Sequence, residues 1–175
     1  MKTSNIKEKL KNYFFINPTA RLRVRQIERE LKLPLPSVIR YAKELEKEGL
    51  LKITDIAGIR VYSADRASRQ FIVEKMLFNI YSLHESGLVN LIIEELHNPA
   101  IILFGSYAKG EDIESSDIDI FIETPAKKPD FKMFEKKLNR NIQLFLHKSI
   151  KDIKNKELAN NIINGIRLNG FIEVF

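Results

Sequence analysis

The chain contains no cysteine and no tryptophan among its 175 residues. Without cysteine there is neither a disulfide framework nor a thiolate metal site, which fits a reducing compartment and leads us to expect a cytoplasmic protein. Glycine (7) and proline (6) are scarce, so a low-complexity or collagen-like chain is excluded. No apolar run approaches about 18 residues and no signal-peptide pattern opens the chain, so no membrane partner is expected. The three histidines, His84, His97 and His147, are too scattered to have metal-ligand spacing. What remains is 44% hydrophobic and 30% charged residues, enough apolar material for a packed core and enough charge to keep it in solution. The length allows one large domain or two small ones.

The net charge of +6 is unevenly spread. Residues 1–69 carry 16 Lys and Arg against 8 Asp and Glu, a net of +8; residues 70–175 carry 13 against 15, a net of −2. Such asymmetry points to one part that meets a polyanion and another with a different task. A lysine-rich solvated surface is the plain alternative.

In the basic part, apolar residues at Ile6, Leu10, Tyr13 and Phe14 predict a helix from Asn5 to about Phe15. Asn17-Pro18 breaks it. A second helix is expected over Val24–Leu31, and Leu33-Pro34-Leu35-Pro36 makes a turn because proline disfavours helix in the residue before it. A third helix starts near Pro36 with Val38, Ala42 and Leu45 inward, and stops at Gly49. Leu50–Ile53 and Ile59–Tyr62 read as two short strands around Asp55–Gly58. This order, with the segment PSVIRYAKELEKEGLL, resembles the winged helix-turn-helix superfamily. The resemblance implies DNA contacts from Ser37, Arg40 and Tyr41 on the third helix. Lys52 and Arg60 on the wing, with the Arg21-Arg23-Arg25 series, would meet phosphates. The alternative is a wing used for protein contact or for a homodimer. Glu44, Glu46 and Glu48 lie on the same third helix and would repel DNA if they faced it.

Arg66–Ser86 and Leu88–His97 read as helices interrupted by Gly87. Phe71, Phe78 and Tyr81 are expected to serve as packing residues. The expected organisation is thus an N-terminal domain over 1–65, a helical connector over 66–98, and a second domain over 99–175.

The second domain opens on ILFGSYAKGEDIESSDIDIFIE, which ends at Glu123. It reads as a buried strand, a Gly-Ser turn, a short polar loop, and a second strand with two aspartates one residue apart. Strand residues alternate faces, so Asp117 and Asp119 point one way while Ile118 and Ile120 point into the core. Two carboxylates beside a turn rich in backbone N–H groups suit a divalent metal and a triphosphate. Gly105 lets the backbone approach a phosphate, Ser106 supplies a hydroxyl and an N–H at a helix start, and Gly110 ends that helix. Lys109 is a further nucleotide-binding candidate. A helix is expected over Phe131–Leu138, another over Ile150–Ile163, and a terminal strand over Ile166–Val174.

The pattern Gly105-Ser106, Gly110, Asp117-Ile118-Asp119 resembles the signature of the polymerase-β-like nucleotidyltransferases, above all their minimal bacterial and archaeal members. The resemblance implies an α+β chain: the winged helix followed by a small mixed-sheet domain like the polymerase-β palm. It also implies Mg²⁺ or Mn²⁺ held by Asp117 and Asp119, and ATP or another nucleoside triphosphate as substrate. Active members have a third carboxylate on a later strand; here Gln143 stands in the expected position, and an amide brings neither negative charge nor a useful base. Two functions follow. One is an enzyme moving a nucleoside monophosphate, AMP from ATP, onto a hydroxyl of a protein or small molecule, with a toxin-like protein as an attractive acceptor. The other is a transcription regulator or antitoxin-like protein whose nucleotidyltransferase fold has lost turnover but binds DNA and nucleotide.

Overall fold

The computed structural model describes residues 6–125 and 129–174; Asn5, where the first helix was expected to begin, lies outside them. The chain is α+β, with helices and two sheets. It divides into two units, Met1–Phe78 and Asn79–Phe175.

The first unit contains α1 (Ile6–Ile16), β1 (Arg21–Arg23), α2 (Val24–Leu31), α3 (Leu35–Lys47), β2 (Leu51–Ile56), β3 (Ile59–Ala64) and the start of α4 (Arg69–Ser86). Pro34 sits just before α3 and Pro36 in its first turn, where a missing N–H costs nothing. Val38, Ala42 and Leu45 are fully buried, as their spacing predicts, with Leu10, Phe14 and Ile27. Phe15 meets Phe71 and Phe78 with ring centroids 5.3 and 5.4 Å apart. Tyr81 does not act as the packing residue expected of it, for its side chain is 63% exposed.

The sheet of this unit has three strands, in the order β1-β3-β2, all antiparallel. Strand β1 was not anticipated. It is three residues long, too short to show a period, and it exists because β3 supplies backbone partners from some forty positions away: Arg21 pairs Ser63 and Arg23 pairs Val61. Leu22 faces the core and both arginines face solvent.

The second unit adds α5 (Leu88–Glu95), β4 (Ala100–Phe104), α6 (Gly105–Lys109), β5 (Ile118–Glu123), α7 (Lys132–Leu138), β6 (Ile142–His147), α8 (Lys156–Ile163) and β7 (Ile166–Asn169). Its mixed sheet runs β6-β5-β4-β7, with only β5 and β6 parallel. Ile101, Leu103, Ile118, Ile120 and Ile122 pack on one face, while Ile102, Phe104, Phe121, Ile150 and Ile162 pack on the other. A sheet covered on both sides explains why β4 is a continuous apolar run.

Two expectations for this unit are corrected. The helix expected over Ile150–Ile163 is broken into a 3₁₀ turn (Ile150–Asp152) and α8. Asn155 breaks it: its backbone is extended and its side chain accepts hydrogen bonds from the N–H groups of Glu157 and Leu158, so it caps a new helix rather than continuing an old one. The terminal strand stops at Asn169 rather than Val174. Asn169 already pairs Ile101 near the start of β4, so the ladder has run out of partner.

Candidate nucleotide site and basic surface

On the second face of the sheet Phe121 and Asp119 of β5 lead outward to Asp117, the residue just before the strand. Phe121 is fully buried against Phe104 and its neighbours, and apolar packing gives out just where the acids begin. Asp119 lies opposite Phe104 on one flank and Gln143 on the other. The expected third position is therefore beside the acid pair, and it carries an amide. Asp117 accepts a hydrogen bond from Asn141 Nδ2 at 3.2 Å. Among the described residues no group of three or more His, Cys, Asp or Glu side chains converges to hold a metal ion.

The Gly-Ser turn is part of the same site. Gly105 has φ +75, and a Cβ built on it would stand 2.2 Å from Asp119 Oδ2. An L side chain there would be strained by its backbone conformation and would force the Asp119 carboxylate to move. Ser106 follows in the first turn of α6, half-buried, and Gly110 ends that helix with φ 70. Lys109 is exposed on the last turn.

Asp119 is half-buried, and its carboxyl is raised above the usual carboxylate range, first by burial and then by the charge of Asp117. Two hard oxygen donors whose negative charges already oppose each other fit a divalent cation, which would relieve both effects. The set fits one such ion; a second would lack the charge that a third carboxylate supplies.

A buried polar cluster behind the site was not found from sequence. Asn79 Nδ2, on α4, donates to Asp112 Oδ1 at 2.7 Å and to the Tyr107 carbonyl at 2.8 Å. Arg140 Nη2 lies 3.7 Å from Asp112 Oδ2, with both side chains almost wholly buried. This cluster joins α4, α6, the loop before β5 and the turn into β6. It raises the Tyr107 hydroxyl well above its ordinary value, through burial first and then Asp112, with Arg140 opposing. Nothing in the local sequence marks it, since Asp112 and Arg140 both stand in polar stretches.

Beside Asp117 a cleft of about 450 Å³ opens between α7 and the loop before β5, and all nine of its lining residues are polar. Asn141 and Ser116, which flank Asp117 in space and in sequence, belong to its wall.

The residues expected at DNA occupy the first unit and do not share one surface. Arg40 is exposed and stacks on Tyr41, with the guanidinium 4.4 Å from the ring centroid. Ser37 and Tyr41 are half-buried. On the sheet, Lys52 pairs Ser63 and Arg60 pairs Asp55. An even and an odd register position point to opposite faces, so Lys52 shares its face with Arg21 and Arg23, while Arg60 points toward α3. There, with Lys43 and Lys47, it lines a cleft of about 410 Å³. Arg40, Lys43 and Lys47 stand at i, i+3 and i+7, one stripe of α3 whose spacing the sequence itself displays.

The three glutamates of α3 are engaged within the unit. Glu44 and Glu48 pair with Lys7, and Glu46 Oε1 accepts the Ile53 N–H at 3.2 Å. The Lys7 ammonium is raised above its ordinary range chiefly by its hydrogen bond to Glu48.

No helix among the described residues is long and apolar enough to cross a membrane. No curated protein and no solved structure matches the chain. Residues 89–167 match the family model described as "Nucleotidyltransferase domain", and this part of the chain, which holds Gly105, Ser106, both aspartates and Gln143, is similar to that family.

Proposed function

We propose that the second unit transfers a nucleoside monophosphate, AMP from ATP, to a hydroxyl of a protein or small molecule. The observation that carries this reading is the fit of Gly105 against Asp119: the turn that would receive phosphates and the acid that would hold Mg²⁺ leave no room for even a methyl group between them. Asp117 and Asp119 would hold the ion, which when bound offsets charge on the phosphates. The N–H groups at the start of α6 and the Ser106 hydroxyl bind phosphate oxygens. In the reaction the acceptor oxygen forms a bond to the α-phosphorus. The bond from that phosphorus to the bridging oxygen breaks, pyrophosphate leaves with the electron pair, and the hydroxyl proton passes to water, since Gln143 cannot take it.

The first unit, on the same proposal, is a winged helix-turn-helix that binds DNA. Arg40, Lys43, Lys47 and Arg60 are its principal cations; Glu46 and Asp55 share the cleft wall with the last three, Glu44 is held by Lys7 and Arg40, and Glu48 by Lys7. Phosphate contacts of this kind set affinity and salt dependence.

One observation favours a second reading. Gln143 sits beside Asp119 in the register where the family's third acid is expected. A chain that binds nucleotide and DNA without turnover, as a regulator or antitoxin-like protein, would tolerate that amide. Pyrophosphate release from ATP with Mg²⁺ or Mn²⁺, over a panel of hydroxyl acceptors, separates the two. Release that disappears in Asp117→Ala supports the enzyme. ATP binding that needs Asp117 and Asp119 but yields no pyrophosphate supports the regulator. ATP binding unchanged when both aspartates are alanine defeats both.

A further inference from the structure

The acid strand β5 has two flanks. On one lies β4, which leads into Gly105 and Ser106; on the other lies β6, entered through Asn139, Arg140 and Asn141. The polar cleft opens on the β6 flank, and it touches the acid pair through Asn141, which both lines the cleft and donates to Asp117. Phosphoryl transfer needs the attacking and departing oxygens roughly in line through phosphorus. If the departing pyrophosphate lies at the Gly-Ser turn, the attacking hydroxyl must come from the opposite flank, which is where the cleft stands.

The chemistry of the cleft narrows what it holds. None of its lining residues is apolar or aromatic, so a nucleobase or a tyrosine ring would find no aromatic side chain to stack on. Lys132 and Lys136, one helical turn apart on α7, are exposed, and neither ammonium has an ion-pair partner among the described residues. Arg140, by contrast, is committed to Asp112. Two ammonium groups suit one phosphate dianion. Glu114 and Glu135 also line the cleft, Glu135 with one oxygen accepting the Ile142 N–H at 3.0 Å. Carboxylates repel a second anionic group but accept hydrogen bonds from hydroxyls. The volume, about 450 Å³, is that of a small-molecule site.

We infer that this cleft is the acceptor site, and that the acceptor is a small phosphate ester carrying free hydroxyls, a phosphorylated sugar or polyol. Lys132 and Lys136 take its phosphate, and Asn141 places one hydroxyl beside Asp117. The inference rests on the transferase reading for its word acceptor, but the site itself is testable without turnover.

The experiment is calorimetric titration of the full chain with ribose 5-phosphate, glycerol 3-phosphate and inorganic phosphate. Each is run with and without Mg²⁺ and a non-hydrolysable ATP analogue. The two phosphate esters should bind more tightly than inorganic phosphate. In the double variant Lys132→Gln, Lys136→Gln they should lose at least tenfold in affinity, while the ATP analogue changes less than twofold. Both lysines are exposed, so the variant keeps its fold, and an unaltered circular dichroism melt verifies that. Equal ester affinity in the variant overturns the site, as does failure of all three probes to bind the wild type. Lysine-dependent binding of a tyrosine peptide or an RNA oligonucleotide in place of the esters overturns the ligand class. If the esters bind through the lysines and the ATP analogue does not bind at all, the cleft stands and the transferase reading falls.

Discussion

The two units present their candidate sites in opposite ways. In the first, the basic groups stand on long, exposed side chains spread over a helix stripe and two sheet faces. Each has neighbours of the same charge, so each contributes a small, salt-screened share. In the second, two short carboxylates, one glycine turn and one amide are set by strand register and by a fully packed sheet beneath. Charge that reaches its target through solvent is redundant; charge held by backbone geometry is not. Mutation should therefore act almost all-or-none in the second unit and by degrees in the first.

The largest effect is expected at Gly105. Alanine there would put Cβ against Asp119 Oδ2 and force a non-glycine residue to a positive φ. We expect Mg²⁺-ATP affinity to fall about 100-fold or more, equivalent to roughly 3 kcal/mol, with a fold loss of about 1–3 kcal/mol. Titration of ATP and a urea melt would measure both. An alanine variant that binds ATP like the wild type would show that the turn has slack and erase the contrast. Asp112→Ala comes next. It strips the Arg140 guanidinium of its buried carboxylate and Asn79 of one acceptor, at a cost of about 3–5 kcal/mol. Urea unfolding should show it, and Asp112→Asn, which keeps the hydrogen bond from becoming a void, should be the milder change.

How much of this was legible in the sequence follows the same division. The helix and strand order of the first unit could be read because Val38, Ala42 and Leu45 keep helical spacing and prolines mark the turn. The Gly-Ser turn, the two aspartates and Gln143 could be read because strand alternation fixes faces whatever the tertiary context. Four things could not. Strand β1 depends on a partner far along the chain; the Asn155 break depends on a side chain turning back on its own backbone. The Asn79–Asp112–Arg140 cluster is made of residues 33 and 28 positions apart, with no local period to betray it. The faces of Lys52 and Arg60 were also hidden, because register across a hairpin must be known before parity can separate them.

Gln143→Asp tests whether the amide is what limits turnover. The new carboxylate would stand beside Asp119 in the β5–β6 register and supply both charge for a second cation and a base for the acceptor hydroxyl. Metal-dependent pyrophosphate release should rise at least tenfold over wild type. No rise would place the limitation elsewhere in the site and favour the non-enzymatic reading. In the first unit the comparable single change is gentler: Arg40→Ala should weaken DNA binding about three- to tenfold and reduce the slope of log K against log salt by about one. Filter binding across a salt series reads both numbers. A loss of a hundredfold or more would mean that this unit, too, depends on one residue.

The smallest effect concerns the acid pair without its cation. Burial and the neighbouring charge raise the Asp119 carboxyl above its unfolded value, so the folded chain holds this proton to higher pH than the unfolded chain does. Stability from this group therefore falls as pH rises from the ordinary carboxylate range through the raised folded value, and stays lower above it. Asp119→Asn removes the penalty. The variant should melt at a higher temperature than the wild type at neutral pH and in metal-free buffer, and the two should converge at a pH below the ordinary carboxylate value, where both side chains are neutral. Adding Mg²⁺ at neutral pH should raise the wild-type melting temperature, because an ion that binds only the folded state stabilises it, and should leave the variant nearly unmoved. Matched melts at several pH values, with and without Mg²⁺, decide the matter. A variant that melts lower than wild type in metal-free buffer at neutral pH would mean that Asp119 is already compensated by the fold, and that the acid pair is not poised to receive a cation.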